Sequence, residues 1–139
     1  MGVAQAGGLA THGPLAGPRP PALLLPLPTT LRPGRRGLRQ LLDQYPTPDV
    51  LVCSSDMLAL GVLIEAQARG IEVPGQLGVV GFGDLEFAKD LQPALTTVRI
   101  DGSRIGRIAA QFIVDRAEGQ AIAQPIVDIG FEIIERASC

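Results

Sequence analysis

At 139 residues the chain has room for one domain with a real core, and with aromatics at 4% that core must be aliphatic. Its charge is uneven: residues 1–42 hold five arginines and no acid, whereas 43–139 hold seven basic against fourteen acidic residues, a balance of −7. An acidic body of this kind repels phosphate backbones, which argues against direct nucleic-acid reading. The single histidine, His12, and two distant cysteines, Cys53 and Cys139, supply neither a zinc or iron ligand set nor a cysteine–histidine pair. No cofactor, metal or disulfide is expected, and Cys53 reads as a small buried hydrophobe. The aliphatic run Ala22–Leu27 is too short to cross a membrane. Met1–Gly13 has no basic n-region, so a cytoplasmic address follows by default.

Residues 1–33 carry seven of the twelve prolines and five glycines without hydrophobic periodicity. Such a stretch buries too little apolar surface to offset its ordering entropy, so it reads as a disordered or loosely packed lead-in. The folded domain, 34–139, is expected to begin near Gly34. Leu38, Leu41, Leu42 and Tyr45 share one face of a helix from about Arg36 to Tyr45, which Pro46 and Pro48 stop. A short apolar strand, Val50–Cys53, follows and breaks at Ser54-Ser55-Asp56. The next helix runs from about Ser55 to Arg69, with Met57, Leu60, Ile64 and Ala68 as its expected buried stripe and Gly61 allowing close approach. Gly70 and Pro74 end it.

Leu77–Phe82 is a second strand, apolar enough for burial on both faces, and it ends at Gly83-Asp84. A polar loop or short helix around Glu86–Asp90 precedes a β-branched strand, Thr96–Ile100. Asp101 or Ser103 then caps a helix reaching about Glu118, with Ile105, Ile108, Ala109, Phe112 and Ile113 inward. The tail, Ile126–Glu135, reads as two short strands or one bent strand around Gly130. Strands alternating with helices predict an α/β fold: a parallel sheet flanked by helices, with ligands outside the carboxyl ends of its strands.

Two clusters lie at such ends. Ser54-Ser55-Asp56 opens a helix, where free amides, hydroxyls and a carboxylate suit an anion or a polyol, although the same tripeptide is also a good helix cap. Gly81-Phe82-Gly83-Asp84 ends the neighbouring strand, and its plainer reading is a glycine turn with a solvated Asp84. An acid–base pair of Asp56 and Asp84 would need one carboxyl raised by burial, which nothing nearby in sequence supplies. A dinucleotide fingerprint fails because Glu86 stands at its third glycine position.

The ordered set Asp56, Ala59, Gly61, Gly70, Pro74, Gly81, Phe82, Asp84, Pro93, Leu95, Thr96 and Thr97 resembles the C-terminal part of the effector-binding domain of LacI/GalR-type transcriptional regulators. The resemblance runs from about Gly34 to the end, and the tail around Arg136 and Ser138 resembles that family's last strand. It implies a partial periplasmic-binding-protein-like (type I) domain with Ser54, Ser55, Asp56, Phe82, Gly83 and Asp84 facing the effector. Ser55 stands where the family has asparagine, and Gly83 where it has a sugar-binding aspartate. The latter form resembles the gluconate-utilisation branch. Removing a carboxylate from a ligand cleft also lowers the cost of admitting an anionic sugar acid.

The implied function is sensing of a sugar or sugar acid by a repressor that is a homodimer in the intact family and meets operator DNA through a helix-turn-helix. Neither that head nor the first half of the sugar-binding domain is legible in these residues, so the chain reads as a truncated regulator. The helix near 103–118 would, by resemblance, pack in the missing half and leave apolar surface uncovered. The alternative is a stand-alone sugar-binding or dimerisation module. An enzyme is disfavoured by the lack of a nucleophile–base set.

Overall fold

The computed structural model describes residues 3–5, 23, 30–121 and 125–139. Its elements in chain order are β1 (Val3–Gln5), α1 (Leu31–Gln44), β2 (Val50–Val52), α2 (Asp56–Ala68), β3 (Gly78–Phe82), a 3-10 turn (Glu86–Lys89), β4 (Thr96–Arg99), α3 (Gly102–Ala117) and β5 (Glu132–Ile134). The strands form one sheet in sequence order. β1 to β4 are parallel and β5 pairs antiparallel with β4. The expected parallel α/β sheet is therefore present, closed on one side by an antiparallel edge.

The expected lead-in, 1–33, falls largely outside the described residues. Where the two meet, Val3–Gln5 lie parallel to Val50–Val52, and α1 begins at Leu31 rather than near Arg36. Pro33 does not break α1 because it sits in the first turn, where backbone N–H groups have no intrahelical acceptor to lose. Tyr45 is the exposed C-cap of α1 rather than part of its apolar face.

Aliphatic side chains from both helices and the sheet make the core: Leu38, Leu51, Leu58, Val62, Leu77, Val79 and Leu95 are all buried. α1 and α2 cross at two glycines. A Cβ on Gly34 would collide with the Leu58 carbonyl, and one on Gly61 with the Leu31 carbonyl and, at 3.0 Å, the Gly34 Cα. Only hydrogen side chains permit that approach. Arg35, Arg39 and Arg69 staple the pair further, all donating to the buried Glu65 carboxylate at 2.7–3.0 Å. Hydrogen bonds from Arg39 and Arg69 chiefly, opposed by burial, hold the Glu65 pKa well below the ordinary glutamate range.

The buried stripe of α2 differs from the sequence expectation. Leu58, Ala59, Val62 and Ala66 face the core, whereas Met57, Leu60 and Ile64 are half-buried and Ala68 is exposed. The helix is apolar around most of its circumference, so periodicity alone cannot select a face. α3 differs more. It has no buried residue: Ile108 and Phe112 are half-covered, while Ile105, Ala109 and Ile113 stand exposed. Among the described residues no element packs extensively on it. The tail forms a single strand, β5, after a left-handed turn at Gly130.

Ser138 anchors the segment after β5. Its buried Oγ donates to the Val79 carbonyl at 2.6 Å and accepts from the Thr96 amide at 2.8 Å, bridging β3 and β4.

Candidate functional site

The site grows from the carboxyl ends of β2 and β3. Cys53 still follows the ladder, donating its amide to the Val80 carbonyl at 2.8 Å. Beyond it the chain turns into α2. Ser55 has extended backbone and accepts from the Leu58 amide at 3.2 Å, so it is the N-cap. Ser54 and Ser55 are half-buried, with surface open at the strand ends.

Asp56, the first residue of α2, is fully buried. Its Oδ1 accepts from the Thr97 hydroxyl at 2.6 Å and its Oδ2 from the Leu85 amide at 2.7 Å. One carboxylate thus ties the start of α2 to β4 and to the loop after β3. Gly81 makes room for it, since a Cβ there would collide with Oδ1 and sit 2.9 Å from Leu95. Burial, followed by the Asp56 charge, pushes the adjacent Cys53 thiol up to about 12. It stays a neutral packing group.

At the end of β3, Phe82 and Gly83 are exposed and Asp84 is partly buried. Gly83 has φ +125° and Asp84 φ +51°. The first conformation is confined to glycine, and aspartate tolerates the second. The Asp84 side chain is held by two arginines. Arg136 Nη2 donates to its Oδ1 at 2.7 Å, and Arg99 donates to its Oδ2 through Nε at 2.7 Å and lies 2.6 Å away through Nη2. Burial would raise this carboxyl, but the two guanidinium groups outweigh it and hold the pKa below the ordinary aspartate value. An acid–base pair with Asp56 has no support here, because Arg136 and Arg99 take up the Asp84 carboxylate and Thr97 and Leu85 that of Asp56.

All six residues singled out in the sequence lie at this end of the sheet, but Asp56 differs from the others in having no exposed surface. Thr97, Arg99 and Arg136 complete the cluster and were not singled out as site residues. Thr97 carried a signal, a hydroxyl in a strand otherwise suited to burial. Arg136 lay in the tail that resembles the family's last strand, but nothing local tied it to Asp84, 52 residues away. Among the described residues no group of three or more His, Cys, Asp or Glu could hold a metal ion. No described helix is long and apolar enough to cross a membrane.

The periplasmic binding protein-like domain matches residues 5–139. The chain belongs to that family. Its relatives within it are LacI-type regulators. It is 36% identical over 116 residues to the HTH-type transcriptional regulator GntR of Pseudomonas aeruginosa, covering 84% of this chain and 34% of that protein. It is 33% identical over 109 residues to the HTH-type transcriptional repressor CytR of Escherichia coli, covering 78% of this chain and 32% of that repressor. Among solved structures, transcription regulator GntR from Chromobacterium violaceum superposes with a TM-score of 0.75 at 36% identity, over 84% of this chain and 43% of that one. A CelR–cellobiose complex superposes with a TM-score of 0.78 at 28% identity, over 85% of this chain and 36% of that one. The chain thus spans about a third of the length of these two curated relatives. Periplasmic-binding-protein-like domains of LacI-type regulators account for the sheet and for its helix order.

Proposed function

We propose that the chain supplies one wall of the effector site of a LacI-type transcriptional repressor that responds to a sugar or sugar acid. Ser54, Ser55, Phe82, Gly83 and Asp84 would face the effector, with Asp56 as the buried brace that sets their spacing. The observation that carries this reading is the Asp56 carboxylate. By bonding Leu85 and Thr97 it holds the serine-bearing start of α2 against the loop after β3, at the position where open α/β sheets take ligands. The exposed Phe82 and the half-buried Ser54 and Ser55, all at the carboxyl ends of neighbouring strands, supply the mixture of apolar and polar groups that small-ligand sites use. Gluconate is the favoured effector within this class, because Gly83 removes a negative charge from the wall.

In this reading the site works by shifting a conformational equilibrium and not by catalysis. The active protein is a cytoplasmic homodimer without membrane contact. Operator DNA is met by a helix-turn-helix outside these 139 residues, consistent with the acidic balance of 43–139. A second reading, a sugar-binding or dimerisation module with no DNA role, draws on the half-buried outer face of α2 at Met57, Leu60 and Ile64.

The test is thermal denaturation of the chain with glucose or gluconate at increasing concentration. A ligand bound only by the folded state raises Tm by mass action. With these residues joined to the opposite wall of the effector domain, a protein that neither compound stabilises would overturn the ligand reading. Joining the chain to a helix-turn-helix head separates the two readings, since only the first expects ligand-sensitive operator binding.

A further inference from the structure

The charges around Asp84 divide into an inner pair and an outer pair. Asp84 and Arg136 have side chains only 11% and 16% exposed, and they satisfy each other at 2.7 Å. Arg136 is fixed further by donating to the Leu95 carbonyl at 2.8 Å. Arg99 and Glu132 form the outer pair, 48% and 66% exposed, facing each other across the β4–β5 register. Their contact is loose, 3.4 Å from Arg99 Nη1. An exposed pair at that distance is screened by water and contributes little to stability.

Asp84 needs only one cation for neutrality and already has Arg136. What it does for Arg99 is orientation: its Oδ2 takes Nε and Nη2, fixing the guanidinium plane one residue beyond Gly83. Nη1 is left with an exposed, tethered carboxylate as its partner. A planar guanidinium held along one edge and lightly occupied along another is prepared for carboxylate exchange. The neighbouring wall residue, Gly83, has no side chain to compete.

We propose that Arg99 is the specificity-determining residue of this site, receiving the carboxylate of a sugar-acid effector at Nη1, the position that Glu132 occupies in this structure. The inference rests on the ligand reading above and narrows it from sugars in general to monocarboxylate sugar acids. Asp84 acts through Arg99 as a positioning residue. Glu132 is a competitor, so its removal strengthens ligand binding.

The experiment is calorimetric titration of these 139 residues joined to the opposite wall of the effector domain, with sodium gluconate and with sorbitol, its uncharged counterpart, after circular dichroism has established that each variant is folded. The unaltered chain is expected to take gluconate about tenfold more tightly than sorbitol, the scale of one charge-assisted hydrogen bond. Arg99→Gln abolishes that preference, and Arg99→Lys, which keeps the charge, retains part of it. Glu132→Gln tightens gluconate about two- to fivefold without altering sorbitol. A purely structural Arg99 would not respond to Glu132→Gln in that direction. Unchanged gluconate affinity in Arg99→Gln, or weaker affinity in Glu132→Gln, overturns this inference and leaves the ligand reading standing. Binding of neither compound by the unaltered chain overturns both.

Discussion

The Thr97 hydroxyl donates to the buried Asp56 carboxylate at 2.6 Å across 41 residues of sequence. The same oxygen accepts from the Asp84 amide at 3.4 Å, so one side chain joins both strand-end clusters. Replacing Thr97 with valine keeps the shape and leaves a buried carboxylate oxygen without its donor. Thr97→Val is expected to destabilise the chain by about 1–3 kcal/mol, measured by urea denaturation, while Thr97→Ser retains most of that stability. Equal stability of the two variants would show that the hydroxyl is not what holds Asp56.

The glycine crossing of α1 and α2 makes an opposite pair of predictions. Gly61→Ala places a methyl group against the backbone of Leu31 and is expected to cost about 1–3 kcal/mol. Gly106→Ala, within α3, meets nothing within 4 Å and removes only the helix penalty of glycine, about 1 kcal/mol. Circular dichroism should report more helix in Gly106→Ala and a lower melting point in Gly61→Ala.

Acid sensitivity follows from Glu65 and Asp84, both held below their ordinary pKa values by arginines. A carboxylate depressed in the folded state contributes stability that is complete above its unfolded pKa and is lost as pH falls through the folded value. Stability from these groups should therefore hold from neutral pH to about pH 5, then fall as pH drops below about 4. Glu65→Gln should be the less stable chain at neutral pH, with the gap to the unaltered chain narrowing in acid. Denaturation midpoints along that pH series measure it, and a constant gap would contradict the role given to Glu65.

The two thiols should separate chemically. Cys53 is buried with its pKa pushed up to about 12, whereas Cys139 is exposed. Iodoacetamide at mildly alkaline pH is expected to label the native chain once, at Cys139, because alkylation requires an accessible thiolate. A second label appears only in denaturant. Mass spectrometry of the native reaction showing modified Cys53 would mean that β2 opens readily at its end.

Much of this architecture is legible in the residues because punctuation is local. Pro46 and Pro48 close α1, and Gly70 with Pro74 closes α2, so those boundaries fall within two residues of where sequence rules put them. The face of α2 is not legible, since Met57, Leu60 and Ile64 are as apolar as Leu58 and Val62, and only the packing of α1 and the sheet decides between them. Ser54-Ser55-Asp56 and Gly83-Asp84 announce themselves as polar breaks after apolar strands. Their partners do not, because Thr97 and Arg136 reach them only through the strand order of the sheet. Asp56 illustrates the difference: composition makes it a ligand candidate, and burial makes it a brace.

Ser138 has a bearing on how the protein is made. Its hydroxyl satisfies the Thr96 amide and the Val79 carbonyl, yet it is synthesised 42 residues after Thr96. At translation rates of about 5–20 residues per second, the Thr96 amide waits roughly 2–8 s for its partner and the Val79 carbonyl roughly 3–12 s. Through that interval β3 and β4 can be paired but not sealed, and their shared end is open to the wrong neighbour. The nascent chain is thus most exposed to misassembly between the synthesis of Thr96 and that of Ser138, while α3 is being made.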